Sequence, residues 1–186
     1  MIHTSANTTP GAPAGTAASA EREPERKPTR RKKWWILGGV VVVLGGLQLF
    51  GPSLQNPPVD PALTFEGRLP TPPNVRHVLQ TACMDCHSHA TDWPWFAHIA
   101  PVSMLAANTV AEGREHLNFS AWGSYTSKKQ EKLLDEISTV TRFERMPLPL
   151  YKITHPDARL STNDRFILYF WARNQIARVR MERQAG

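Results

Sequence analysis

The sequence has little cysteine, with only two among its 186 residues. A framework of several disulfides is therefore excluded, and no other thiol competes for Cys83 or Cys86. Convincing strand patterns and internal repeats are also absent, which argues against β-rich and repeat folds. Most of the basic excess lies at residues 21–33, and from residue 51 onward it amounts to only two charges. Without a basic stripe on the folded part, we expect no nucleic-acid partner.

The two cysteines belong to one pentapeptide, Cys83-Met84-Asp85-Cys86-His87. In one helical turn, this spacing presents both thiols to the edge of a porphyrin, where each can form a thioether. The next residue then faces the iron, so His87 is the predicted axial ligand, through a neutral imidazole nitrogen. The predicted cofactor is one covalently attached haem c.

Two other chemistries use the same residue types. A thioredoxin-like redox pair fits Cys-x-x-Cys, but such a pair normally lies in a βαβ pattern, which this sequence lacks. A structural zinc site usually needs a second pair of Cys or His ligands, and His89 lies too close to His87 to provide one.

The N-terminal third predicts a tail, an anchor and a tether. Residues 1–33 are polar and charged, which predicts a disordered cytoplasmic tail. Residues 34–50 are uncharged and just reach the length of a transmembrane helix, with the basic residues before them holding the N-terminus in the cytoplasm. The alternative is a cleaved signal peptide, but no Ala-x-Ala site follows. Residues 51–73 are rich in proline and predict an extended tether.

These features predict a single-pass protein of the bacterial inner membrane. Its haem domain, residues 74–183, would lie on the periplasmic side, and the membrane itself would be a partner through the anchor.

Helical patterns predict an all-α domain with four helices. Asn74 caps a helix from Val75 to the pentapeptide, and Pro101 begins a second that runs to about His116. Capping boxes open the third and fourth helices. These boxes are Ser127 with Gln130, and Ser161 with Asp164, the latter opening a helix from Thr162 to about Met181. Apolar positions available for burial in the last helix are Phe166, Ile167, Phe170, Trp171, Ile176 and Val179.

Several blocks between Asn74 and Trp171 resemble the cytochrome-c-like haem-binding domain family of small, membrane-anchored bacterial proteins. They are Cys83-x-x-Cys86-His87-Ser88, Trp93-Pro94-Trp95, Ile99-Ala100-Pro101-Val102-Ser103, Glu112-Gly113-Arg114, Leu117-Asn118-Phe119-Ser120-x-Trp122 and Met146-Pro147-Leu148-x-x-Tyr151. The resemblance implies a cytochrome-c-like helical fold, covalent haem c and an electron-transfer or redox-associated role, without a defined substrate. Where the family often has Asn or a similar polar residue, this chain has His89, a further ligand candidate.

The predicted function is one-electron transfer by Fe(III)/Fe(II) cycling, with an unidentified redox partner protein and no catalytic residue. Two alternatives are a haem-based redox or gas sensor and, less favoured, a peroxidase-type enzyme. Both would need an open or labile iron position. Trp93 and Trp95, together with Phe96, are predicted to cover the haem edge or, alternatively, to build the core beside it. Candidate donors to the haem propionates are Arg114, Trp122, Tyr125, Arg145 and Tyr151.

The predicted second axial ligand is Met146, fifty-nine residues after His87 in a proline-bounded loop between helices. The layout resembles the distal loop of small cytochromes c, and His/Met ligation raises the reduction potential. His98 and His116 are the alternatives, since either would form a bis-histidine site. A third alternative is an open site. Less favoured candidates are Met84, Met104, Met181, His77, His89 and His155.

Overall fold

The computed structural model describes residues 30–185, and within them every regular element is helical. The predicted all-α class is thus confirmed for this part of the chain. The tail predicted for residues 1–33 lies almost entirely outside the described residues. The α-helices are α1 (Arg30–Gln48), α2 (Phe65–Arg68), α3 (Pro73–Ala82), α4 (Met84–His87), α5 (Val102–His116), α6 (Ser127–Arg142), α7 (Pro149–Thr154) and α8 (Thr162–Ala185). Short 3₁₀ segments are Trp95–His98, Phe119–Ser124 and Pro156–Ala158.

The predicted transmembrane helix at residues 34–50 is wrong. Among residues 30–185, no helix has both the length and the apolarity that crossing a membrane requires. α1 has nineteen residues, the first four are basic, and it ends at Gln48 rather than Phe50. The fifteen that remain span about 22 Å, short of a hydrocarbon core of about 30 Å. The inner-membrane localisation, which rested on this anchor, is overturned with it.

Within the described residues, the chain divides into two units inside α1, and the second unit begins at Val40. The core of the second unit includes a cluster of aromatic rings around Phe65, which is 0% exposed. Its ring centroid lies 5.0 Å from those of Phe119 and Trp122 and 5.1 Å from that of Trp171. Phe65 and the buried Leu69 belong to the stretch predicted as an extended tether. That stretch therefore contributes to the core. Its prolines limit it to one short helix, α2, but do not prevent it from packing on the rest of the domain.

The helices begin close to the predicted positions, but the N-cap residues of α3 and α6 differ from the predicted ones. Pro73 opens α3 after Pro72, so Asn74 is inside the helix. Thr126, one residue before the predicted cap, accepts a hydrogen bond from the Lys129 amide. The Ser161 and Asp164 capping box is confirmed, because the amide of each residue donates to the side chain of the other.

α6 and α8 pack along each other through buried leucine, isoleucine and alanine side chains. Trp171 of α8 is also tied to the segment before α3, since its indole N–H donates to the Pro70 carbonyl at 3.0 Å. Phe166 and Phe170, expected to be available for burial, are 57% and 60% exposed. The inner face of α3 is buried as predicted, at Val75, Val78, Leu79 and Ala82. This packing fixes α3, and α3 delivers the cysteines.

Candidate haem site

The pentapeptide forms a single helical turn directly after α3. Cys83 ends α3 and precedes α4, and its carbonyl accepts the His87 amide at 3.0 Å. Both thiols are free and half-buried. One turn thus carries both cysteines and the histidine, as the spacing predicts. We call residues 83–87 the attachment turn.

The attachment turn packs tightly on α5 at a glycine. A Cβ atom built on Gly113 would lie 2.5 Å from the carbonyl oxygen of Cys86, closer than real Cβ atoms approach backbone. The carbonyl of Gly113 also accepts a hydrogen bond from His87 Nδ1 at 2.8 Å. Gly113 therefore allows α5 to approach the turn closely, and its carbonyl is a hydrogen-bond partner of His87.

The His87 ring is held in one tautomer by backbone carbonyls. Nδ1 lies 2.8 Å from the Gly113 oxygen and 3.1 Å from the Leu117 oxygen, and carbonyls only accept hydrogen bonds. Nδ1 must therefore carry the hydrogen, which leaves Nε2 with a free lone pair. Burial lowers the pKa of His87 and keeps the ring neutral. A histidine that binds a metal is usually a neutral imidazole in which one ring nitrogen binds the metal and the other donates a hydrogen bond, often to a carbonyl.

Both thiols are held in their protonated form. Burial, with a smaller effect from Cys86, raises the pKa of Cys83 to about 12. Burial also raises the pKa of Cys86 to about 11; the Asp85 carboxylate adds to the rise and Arg114 opposes it. These cysteines are not in the electropositive surroundings that activate a thiolate.

An apolar cavity of about 430 Å³ opens beside the attachment turn. Such a volume falls in the range of about 300–1,000 Å³ typical of cofactor pockets. Asp85 and Cys86 form one side of it. The His87 ring is not part of the lining; its centroid lies 6.4 Å from that of the buried Phe119 ring. Further lining comes from the Trp93 loop, α5 and α7, notably Trp93, Phe96, Leu105, Val110, Leu148 and Tyr151.

Asp85 ties α7 to the attachment turn. Its Oδ2 accepts a hydrogen bond from the Tyr151 hydroxyl at 2.6 Å, and Oδ1 accepts the Asp92 amide at 3.0 Å. The Tyr151 ring stacks on His155 with centroids 4.0 Å apart and planes 12° from parallel. Burial and the Asp85 carboxylate raise the pKa of Tyr151, so its hydroxyl remains a donor. Tyr151 is thus placed at the cavity, but its hydroxyl is already engaged.

Arg114 holds the loop that follows the attachment turn. Its Nε donates to the Ser88 carbonyl at 2.7 Å, and Nη2 donates to Thr91 and Asn56 at 2.8 Å each. These three partners would compete with a propionate for the guanidinium. The arrangement favours a structural role over the predicted propionate contact.

The two predicted tryptophans have different environments. Trp93 lines the cavity, and its indole N–H is buried without a hydrogen-bond partner. A buried N–H normally has an acceptor, so a carboxylate of a bound haem would satisfy this one. Trp95 is 75% exposed and lies outside the cavity lining. The apolar lining and the Cys86 side of the cavity therefore fit a haem, with Trp93 rather than Trp95 at its edge, whereas Cys83 and His87 lie next to the lining and not in it.

The remaining predicted ligands and donors lie away from this cavity. Met146 lines a different one, with Pro147, Lys152 and Arg159. His98 is exposed, and Nε2 of His116 pairs with Glu136 at 3.0 Å. The other propionate candidates are also elsewhere: Trp122 is in the aromatic core, the Tyr125 hydroxyl accepts the Asn118 amide, and Arg145 is exposed.

Sequence reasoning ranked His155 low, yet the structure places it in the cavity wall. Tyr151 and His155 are one helical turn apart in sequence, which was the available signal. That signal is weak, because only the fold shows that α7 faces Cys86.

The comparisons with known proteins give one match. A family model described as a haem-binding domain matches residues 42–174, more than two thirds of the chain. No curated protein and no solved structure matches.

Proposed function

The chain belongs to the haem-binding domain family and is a haem protein, and we propose that it holds one haem c and carries single electrons. Cys83 and Cys86 would form the thioethers, and Nε2 of His87 would be the first axial ligand. The observation that carries this proposal is the His87 tautomer, with Nδ1 donating to two carbonyls and Nε2 left free on the turn that holds both thiols.

The alternative of a thiol redox pair has less support. Such enzymes lower the pKa of the attacking thiol, whereas the pKa values of Cys83 and Cys86 are both raised. A structural zinc site also has little support, since the described residues contain no group of three or more His, Cys, Asp or Glu side chains placed to hold an ion.

Bound haem would supply a single-electron couple, Fe(III)/Fe(II), whose potential depends on the axial ligands and on burial. The chain's own residues bind, orient and shield the group. The apolar side chains of the cavity would cover the porphyrin, and Trp93 would offer an N–H to a propionate. Asp85 with Tyr151 holds α7 against the attachment turn.

Covalent attachment is tested by a pyridine haemochrome spectrum of the full chain, produced in a host that attaches haem to Cys-x-x-Cys-His proteins. We expect one haem per chain with two thioethers, and one thioether in Cys83→Ser or Cys86→Ser. The matched control is Ser88→Ala, which leaves both thiols in place. Haem that is fully extracted by acidified solvent from the wild-type chain would contradict covalent attachment.

Electron transfer is tested by redox titration of the same holoprotein. We expect a reversible one-electron couple with no change in haem content, and little carbon monoxide binding by the ferrous form. Rapid uptake of carbon monoxide by the wild type would instead support the gas-sensor alternative, which needs an open position.

A further inference from the structure

The wall of the haem cavity contains one histidine, His155, which follows α7 directly. The same cavity is bordered by Cys86 of the attachment turn, so His155 lies at the space that a thioether-linked haem would enter. Its ring is half-buried. A histidine here is near the expected cofactor without belonging to the attachment turn.

The His155 ring is fixed by its neighbours. It stacks on Tyr151, whose hydroxyl is bonded to Asp85 of the attachment turn at 2.6 Å. Nδ1 lies 2.9 Å from Thr154 Oγ1 and 3.3 Å from the Tyr151 carbonyl. The Tyr151 carbonyl can only accept, so its contact favours the tautomer in which Nδ1 carries the hydrogen, and the Thr154 hydroxyl, which also donates to that carbonyl at 3.1 Å, is compatible with it.

Nε2 of His155 is then left with a lone pair and has no hydrogen-bond partner among residues 30–185. His87 has a related arrangement, in which Nδ1 donates to two backbone carbonyls and Nε2 is left free. Fixing one nitrogen in this way sets the orientation of a metal-binding imidazole and raises its basicity.

The other histidines considered for this role have different surroundings. Both ring nitrogens of His89 are engaged, by the Pro58 carbonyl and the Asn118 amide group. His116 pairs with Glu136, and His98 is exposed outside the cavity lining. Met146, the candidate favoured by sequence, lines a separate cavity with Pro147 and Arg159.

We propose that Nε2 of His155 is the second axial ligand of the haem iron, which makes the site bis-histidine. This proposal rests on the proposed function, since it needs a haem attached at Cys83 and Cys86. Two imidazoles hold the reduction potential below that of a His/Met pair and close the iron to external ligands. Tyr151 is then a positioning residue, because it acts through the His155 ring.

The test uses the full chain loaded with haem and needs no variant for its first measurement. The ferric wild type should show a low-spin bis-imidazole signal by electron paramagnetic resonance and no thioether-to-iron charge-transfer band. A charge-transfer band in the wild type would overturn the proposal in favour of a methionine ligand.

The second measurement compares His155→Ala, His155→Phe and Met146→Ala. Phe retains a ring that can stack on Tyr151, so it separates loss of the ligand from loss of packing. In both His155 variants, we expect the low-spin signal to be lost and the ferrous form to bind carbon monoxide, with added imidazole restoring the low-spin state in His155→Ala. Met146→Ala should match the wild type.

Two results would overturn the proposal: the same changes in Met146→Ala with both His155 variants unchanged, or no change in any of the three. A pyridine haemochrome spectrum of each sample keeps the two proposals apart. Wild type without attached haem would overturn the proposed function as well, whereas attached haem with unaltered ligation in the His155 variants would overturn only the ligand assignment.

Discussion

At the scale of single residues, the positions of protons decide which atoms of the attachment turn can form bonds. The pKa of His87 is lowered by burial, so its ring is neutral at neutral pH and Nε2 keeps its lone pair. The pKa of Tyr151 is raised, so its hydroxyl keeps donating to Asp85. The thiols of Cys83 and Cys86 are also protonated at neutral pH. Without haem, the turn is therefore neutral at its two sulfurs and its histidine.

The raised thiol pKa values predict slow alkylation of the haem-free chain. With the pKa of Cys86 raised from 9.0 to about 11, its thiolate fraction at pH 8 falls about 100-fold, and that of Cys83 falls further. We expect iodoacetamide to react with the folded chain at least about tenfold more slowly than with the urea-unfolded chain. Mass spectrometry of each cysteine over time measures this, and equal rates would contradict the prediction.

The same shifts set the direction of a pH effect on stability. In the unfolded chain the thiols lose their protons near pH 9, whereas in the folded chain they keep them up to about pH 11 to 12. Their contribution to stability is thus fully present below pH 9 and is lost as pH rises through the folded pKa values. Cys83→Ser with Cys86→Ser is the matched control, which should lose less stability between pH 9 and pH 11.

At the scale of the elements, the approach of α5 to α4 controls the geometry of the site. Gly113 lets the backbone of α5 come against the Cys86 carbonyl, and the carbonyls of Gly113 and Leu117 then reach His87 Nδ1. Arg114, the next residue, bonds to Ser88 and Thr91 beyond the attachment turn. One end of α5 thereby positions the turn, its histidine and the following loop.

Gly113→Ala gives a prediction in which two effects have opposite signs. Helix propensity alone favours alanine by about 1 kcal/mol. The added Cβ would lie 2.5 Å from the backbone oxygen of Cys86, and neither atom can rotate away, because the position of a Cβ is fixed by its own backbone. We therefore expect a loss of about 1–3 kcal/mol in the free energy of unfolding, measured by urea denaturation.

The exposed neighbour Glu112 provides the control, because Glu112→Ala changes the same helix without touching the turn. It should alter stability by no more than about 0.5 kcal/mol. A Gly113→Ala chain more stable than the wild type would show that the helices separate freely.

At the scale of the whole molecule, the segment before α3 closes the core. Phe65 lies among the rings of Phe119, Trp122 and Trp171, and the Leu63 carbonyl accepts the Gly123 amide at 2.8 Å. These contacts join residues 61–69 to the segments after α5 and to α8. The folded domain thus begins earlier than residue 74, the predicted start.

Phe65→Ala tests this extension of the domain. Removing a fully buried ring leaves a cavity, so we expect a loss of about 3–5 kcal/mol in the free energy of unfolding. Phe170→Ala, at a site 60% exposed, should change it by no more than about 0.5 kcal/mol. Urea denaturation of the full chain measures both. Equal, small effects would mean that residues 51–73 do form the tether predicted from sequence.

The sequence by itself determined what is encoded locally. The pentapeptide, the buried face of α3 and the capping box of α8 each lie within a few residues, where helical spacing and hydrogen-bond chemistry fix the outcome. The family blocks indicated the haem. Local sequence is not sufficient at residues 34–50, because the uncharged stretch does not specify that the helix ends at Gln48.

Only the tertiary structure decided which residues meet at the site. His87 reaches a carbonyl 26 residues away, and Asp85 reaches a hydroxyl 66 residues away. No periodic pattern within one helix specifies such pairs, because they depend on how α5 and α7 pack against the attachment turn. For the same reason, His155 rather than His98 or His116 lies in the cavity wall, and Trp93 lines the cavity while Trp95 faces solvent.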